Sequence, residues 1–82
     1  MKPEIIEKVN KFLNEEFEID SALLTPEALI VADLGIESLD FVDIVVIIEK
    51  SYGFKLKGEE MATIKTLGQF YDHIFQRIQN QN

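Results

Sequence analysis

Residues 38–53, SLDFVDIVVIIEKSYG, constrain the fold more than any other stretch of the chain. Ile44 to Ile48 are all β-branched, and by propensity alone they read as a buried strand. The apolar pattern extends over about 14 residues, however, which is longer than a usual strand. Ser38 stands where a helix N-cap would, Asp40 suits the positive first turn, and Gly53 suits the C-terminal end. The segment is therefore expected to be helical. On a helical wheel Phe41, Ile44, Val45, Ile48 and Tyr52 gather on one face, toward a core. The opposite face carries Leu39, Asp40, Asp43, Val46, Ile47 and Lys50.

With 82 residues, the chain is sized for one domain with a modest core. Pro3 and the acids Glu4 and Glu7 suit a first turn, and Ile5, Val9, Phe12, Leu13 and Phe17 recur at helical spacing. A first helix is expected over about residues 3–16. Residues 17–37 read as a long loop, with a turn at Thr25-Pro26, Gly35 as punctuation, and Leu23, Leu24, Leu29 and Leu34 as anchors into the core. Phe54 and Leu56 are further anchors, and residues 58–62 read as one short helical turn. Thr66 and Gln69 fit a capping box, and Leu67, Phe70, Tyr71, Ile74, Phe75 and Ile78 follow at steps of three and four. The expected fold is all-α: a small four-helix bundle, three main helices and one short, with a long loop between helices 1 and 2. One domain over residues 1–78 is expected, and the polar residues 79–82 are expected to fray.

Composition narrows the function classes. Eight Lys and Arg stand against 15 Asp and Glu, a net charge of −7. This argues against nucleic acid and anionic membrane surfaces, and it favours partners with basic patches. The chain has no cysteine, which removes disulfides, zinc–thiolate sites and a cysteine nucleophile. The start lacks a signal-peptide core, and no apolar run approaches the roughly 20 residues of a membrane span, so a cytoplasmic monomer is expected.

Little here resembles catalysis. The single histidine, His73, falls on the polar side of the last helix's stripe and is expected at the surface. Nothing around it resembles a nucleophile elbow, and neither a Walker A loop nor GxGxxG is present. Asp33, Glu37, Asp40 and Asp43 cluster in sequence without EF-hand spacing, which leaves only weak, unspecific divalent binding. No catalytic residue and no specific metal site are expected.

Ser38 then admits two readings. It caps a helix and does nothing more. Or it carries a group: a helix N-terminus favours a phosphate, and Leu39, Val46 and Ile47 among Asp40 and Asp43 form a docking face beside it.

The run DLGIESLDFVDIVVIIEKSYGFKL, from Asp33, resembles the signature of acyl carrier proteins: D-L-G, one variable residue, D-S-L-D, and an acidic, aromatic-ended helix. The resemblance extends over essentially the whole chain. It implies that Ser38 carries 4'-phosphopantetheine, transferred from coenzyme A by a phosphopantetheinyl transferase, whose thiol holds acyl cargo as thioesters. It implies a partner face for acyl-transfer, ketosynthase and related enzymes with basic patches, made of Glu37, Asp40, Asp43 and Glu49 with Leu39, Val42 and Val46. It further implies an acyl-sheltering interior, for which Phe41, Ile44, Val45, Ile48, Ile64, Leu67 and Tyr71 are candidates. Glu37 stands where the family's motif has aspartate, Lys50 where an acid is usual, Phe41 where a smaller residue is common, and Ala62 where an acid is often seen. These departures point toward a dedicated pathway carrier. Two alternatives remain: an acidic interaction module with Ser38 unmodified, and an aminoacyl or peptidyl carrier.

Overall fold

The structure, a computed structural model, describes residues 2–80, apart from the side chain of Ser38. The first helix, α1 (Lys2–Phe17), turns Ile5, Val9, Phe12 and Leu13 inward at the expected spacing. It stops where Glu18 adopts a left-handed conformation, φ 56°. The chain then folds back, and the Ile19 N–H reaches the Leu13 carbonyl at 3.3 Å while the Asn14 side chain donates to the Ile19 carbonyl at 2.8 Å.

The long loop is more ordered than its sequence indicates. Asp20 accepts the Ala22 N–H at 3.0 Å and caps a 3-10 turn, Ser21–Leu23. The expected turn at Thr25-Pro26 is closed by the Ala28 N–H on the Thr25 carbonyl at 3.1 Å. Of the four expected anchors, Leu24 and Leu34 are buried, but Leu23 and Leu29 are exposed. Ile19, Ala28, Ile30 and Ile36 are buried instead. The cause is local backbone geometry. Over residues 28–31 burial alternates as the chain enters a turn: Ala28 and Ile30 are buried while Leu29 and Val31 are exposed. Asp33 fixes this turn, its carboxylate accepting the Leu29 N–H at 2.8 Å and its own N–H donating to the Leu29 carbonyl at 2.8 Å.

Helix α2 (Ser38–Tyr52) confirms that length outweighs β-propensity in the isoleucine–valine run. Ser38 is not its N-cap. Glu37 holds the cap position in extended conformation, and the Asp40 carboxylate accepts the Glu37 N–H at 3.0 Å. The Asp40 N–H donates in turn to the Glu37 carbonyl at 2.9 Å. The acid three residues on thus takes a role that the sequence reading gave to the serine. Gly53 ends the helix at φ 78°, a conformation costly for a residue with a Cβ, and its N–H closes on the Glu49 carbonyl at 2.9 Å.

Helix α3 (Gly58–Thr63) is a six-residue element that buries Met61. Helix α4 (Leu67–Asn80) opens with the expected capping box, Thr66 Oγ1 accepting the Gln69 N–H and Gln69 Oε1 accepting the Thr66 N–H, both at 3.1 Å. Residues 79 and 80 continue the helix, and the expected frayed residues 81 and 82 lie outside the described residues. The element set is four helices without a strand among the described residues, the small helical bundle expected. The loop is stitched to the α3–α4 connection: the Ile30 N–H donates to the Lys65 carbonyl at 3.0 Å and the Leu67 N–H to the Ala28 carbonyl at 2.9 Å.

One side chain departs from its expected setting. His73 is half-buried, with Nε2 shielded from water and 3.4 Å from Glu60 Oε1. It belongs to a cluster in which Glu60 also accepts the Lys57 N–H at 2.8 Å and pairs with Arg77 Nη1. Arg77 spans further, donating to the Lys55 carbonyl at 3.0 Å and lying 5.1 Å from the Phe54 ring centre. Tyr71 is buried, and its hydroxyl donates to Asn10 Oδ1, tying α4 to α1.

Candidate functional site

Ser38 is the first residue of α2, reached through the buried Ile36 and the extended Glu37. The turn before it is held from both sides. Gly35 supplies a φ of 70°, and the Ile36 N–H donates to the Ile30 carbonyl at 3.2 Å. The serine therefore stands at a fixed corner, at the end of a helix whose dipole favours a phosphate.

The face beside it is apolar and open. Leu39, Val42 and Val46, at helical steps of three and four, are 79%, 61% and 40% exposed. Isolated exposed apolar residues are ordinary, but a row of three on one helix is a contact surface in waiting. Glu37, Asp43 and Glu49 flank it, exposed to solvent. Asp40 is half-buried, and its carboxylate is engaged by the Glu37 N–H. Asp43, Val46 and Ile47 border a shallow groove against Glu16 and Phe17 at the end of α1.

Behind α2 the proposed interior residues separate into groups. Ile44 and Leu67 wall a small void together with Leu13, Ile30, Ile36, Met61 and Phe70. Phe41 and Ile64 line a different hollow, an outer groove shared with Leu29, Val31, Ala32, Met61, Ala62 and Lys65. Ile48 and Tyr71 are buried in the core and Val45 is half-buried against it, but none of the three lines either hollow. Sequence reasoning missed Leu13, Ile30, Ile36, Phe70 and Met61 as wall residues. Leu13 and Phe70 were legible only as core. Residues 28–31 are all apolar, so the sequence held no signal that singles out Ile30.

The acids near Ser38 do not form a metal site. Among the described residues no three histidine or acidic side chains come together as ligands. The sequence expectation of weak divalent binding by Asp33, Glu37, Asp40 and Asp43 thus has no built site behind it, because Asp33 and Asp40 are used to hold backbone N–H groups. No helix of the described residues is long and apolar enough to cross a membrane.

The residues fit a phosphopantetheine group. The corner at Ser38 adjoins the highly exposed Leu39, which leaves that side open to solvent.

Comparison with known proteins agrees with this geometry. A family model described as a phosphopantetheine attachment site matches residues 4–74. The chain is 32% identical over 77 residues to an acyl carrier protein of Thermotoga maritima, covering 94% of this chain and 95% of that protein. It is 35% identical over 65 residues to acyl carrier protein 2 of Ralstonia nicotianae, covering 79% and 80% respectively. It is 48% identical over 54 residues to the acyl carrier protein AcpXL of Rhizobium etli, covering 66% and 59%.

Proposed function

The chain belongs to the acyl carrier protein family, and we propose that Ser38 is its attachment residue for 4'-phosphopantetheine. The observation that carries this reading is the placement of Ser38 at the first position of α2, behind the Gly35 turn and beside the exposed Leu39–Val42–Val46 row. In the modification, the Ser38 hydroxyl oxygen attacks the β-phosphorus of coenzyme A and gives up its proton. A phosphodiester forms, and adenosine 3',5'-bisphosphate leaves. When bound, the group supplies a terminal thiol on which an acyl chain is held as a thioester.

The protein's own residues then present and shelter that cargo. The first turn of α2 holds the phosphodiester by its dipole and backbone N–H groups. Leu39, Val42 and Val46 give partner enzymes an apolar contact. Glu37, Asp43 and Glu49 steer basic docking patches of acyl-transfer and condensing enzymes toward it. Exposed ion pairs are worth only about 0–1 kcal/mol each, so such docking is transient, as a shuttle requires. In this reading the chain works as a cosubstrate of cytoplasmic biosynthetic enzymes and performs no catalysis itself.

The test is the intact mass of the protein after incubation with coenzyme A, magnesium and a broad-specificity phosphopantetheinyl transferase. Wild type is expected to gain one phosphopantetheine, and Ser38→Ala none. A gain on the Ser38→Ala variant, or no gain on wild type or on Glu37→Asp, overturns the assignment.

A further inference from the structure

The loop before α2 lies against the head of α4 along a short antiparallel run, paired as a bridge at Leu29 and Thr66. Three backbone hydrogen bonds make the run. Lys65 accepts the Ile30 N–H at 3.0 Å, and Ala28 and Pro26 accept the N–H groups of Leu67 and Gly68, both at 2.9 Å. Leu67 and Gly68 open α4, so the loop carbonyls satisfy two of the N–H groups that a first turn leaves without partners inside the helix. The approach is tightest at Gly68. A Cβ there would stand 3.0 Å from the Pro26 carbonyl oxygen and 3.3 Å from Pro26 Cβ.

Backbone conformation does not call for glycine at this position. Gly35 and Gly53 are the glycines with positive φ among the described residues, and inside a helix glycine is less favourable than alanine. Close approach of the loop is the reason that remains. Pro26 does not step aside easily, because its ring fixes φ and it stands in the turn that the Ala28 N–H closes on Thr25. Resting on the carrier reading above, we infer that Gly68 is a positioning residue for the modification of Ser38. The link runs through backbone alone. Gly68 lets residues 26–30 dock, docking brings Ile30 to Lys65, and the Ile30 carbonyl accepts the Ile36 N–H at 3.2 Å. Ile36 is buried two residues before Ser38. A side chain at position 68 lifts the loop, and the corner then spends part of its time undone. A transferase that reads the docked corner meets fewer competent molecules, which raises KM in proportion and leaves kcat as it was.

The test measures phosphopantetheinyl transfer to the apo protein at saturating coenzyme A, together with amide exchange, for wild type, Gly68→Ala, Gly68→Val and Gly58→Ala. Gly58 opens α3 and a Cβ there meets nothing within 4 Å, so Gly58→Ala is the same change without the clash. In Gly68→Ala, exchange at the Ile30 and Ile36 amides is expected to rise by roughly two- to tenfold, the worth of one neutral hydrogen bond. Val9 and Ile74, buried on α1 and α4, are expected to keep wild-type rates. In Gly68→Val, whose branched side chain presses further, KM for the apo protein is expected to rise by at least the same factor with kcat unchanged. Gly58→Ala is expected to match wild type in both readings. Wild-type KM in a folded Gly68→Val, or wild-type exchange at Ile36 in Gly68→Ala, overturns the inference. So does faster exchange at Val9 and Ile74 in step with Ile36, because Gly68 then supports only the fold as a whole. The alanine variant carries the test alone if the valine variant does not fold. Failure of the carrier reading is distinguishable: wild type itself then gains no phosphopantetheine, and the positioning role falls with it.

Discussion

Glu60 offers the sharpest test of what holds the short helix in place. Its carboxylate accepts the Lys57 N–H at 2.8 Å, pairs with Arg77, and stands 3.4 Å from His73 Nε2. Burial pushes this carboxyl up, but the Lys57 hydrogen bond, Arg77 and His73 together outweigh it, and the net shift is downward from 4.5. Glu60→Gln keeps the shape and a neutral acceptor while removing the charge. Hydrogen bonds to a charged group contribute about 1.5–3 kcal/mol and neutral ones about 0.5–1.5. Two such contacts weakened to neutral give a loss of about 2 kcal/mol, reduced toward about 1 because the side chain is 25% exposed. In a domain of this size that lowers Tm by about 4–8 °C per kcal/mol. The sign with pH follows from the lowered carboxyl. The stabilisation is complete above the ordinary carboxyl range and is lost as pH falls through the depressed value in the folded protein. Urea unfolding of both proteins should therefore show a gap at neutral pH that closes as pH falls well below the ordinary carboxyl range. No gap at neutral pH, or a gap of equal size at both, refutes the reasoning.

Two further outcomes follow from the same structure. Asp40→Ala leaves the Glu37 N–H without its acceptor and should cost about 0.5–2 kcal/mol, seen in thermal melts followed by circular dichroism; an unchanged Tm would return the cap to another residue. Tyr71 is pushed up to about 12 by burial, against the pull of its hydrogen bond to Asn10, and Tyr52 is raised by burial first and Glu4 second. The folded state favours the neutral phenols, so the Tyr71 contribution is intact below 10.0 and is lost as pH rises toward about 12. Phenolate absorbance and helicity should then change together, and ionisation of Tyr71 at its ordinary value with the helices intact would contradict this.

The helices were legible because their stripes are long and their punctuation strong. Thr66 and Gln69 announce α4, and Gly53 ends α2. The face of α2 was legible in part: a wheel sets Leu39 and Val46 opposite the core stripe, while Val42 came only from the family resemblance. What sequence could not supply was the work of polar side chains across short distances. Ser38, Asp40 and Glu37 are all capable of serving the same helix end, and only geometry shows that Asp40 takes it. The loop anchors were misread for a related reason. Leucine identity says nothing about the local path of the backbone, which buries Ala28 and exposes Leu29. Met61 went unnoticed because a six-residue helix has no stripe to betray its inner side. His73 was placed by its own helix alone, before α3 brought Glu60 against it.

The stitching of the loop has a consequence for the order of events during synthesis. The carbonyl of Lys65 holds Ile30, and the carbonyl of Ile30 holds Ile36, the last buried residue before Ser38. A ribosome that has extruded the chain only as far as Glu60 has exposed the serine but not the anchor of the corner on which it stands. The corner becomes complete only once the chain is out as far as Lys65, so its finished shape is itself a record that synthesis has reached the start of α4.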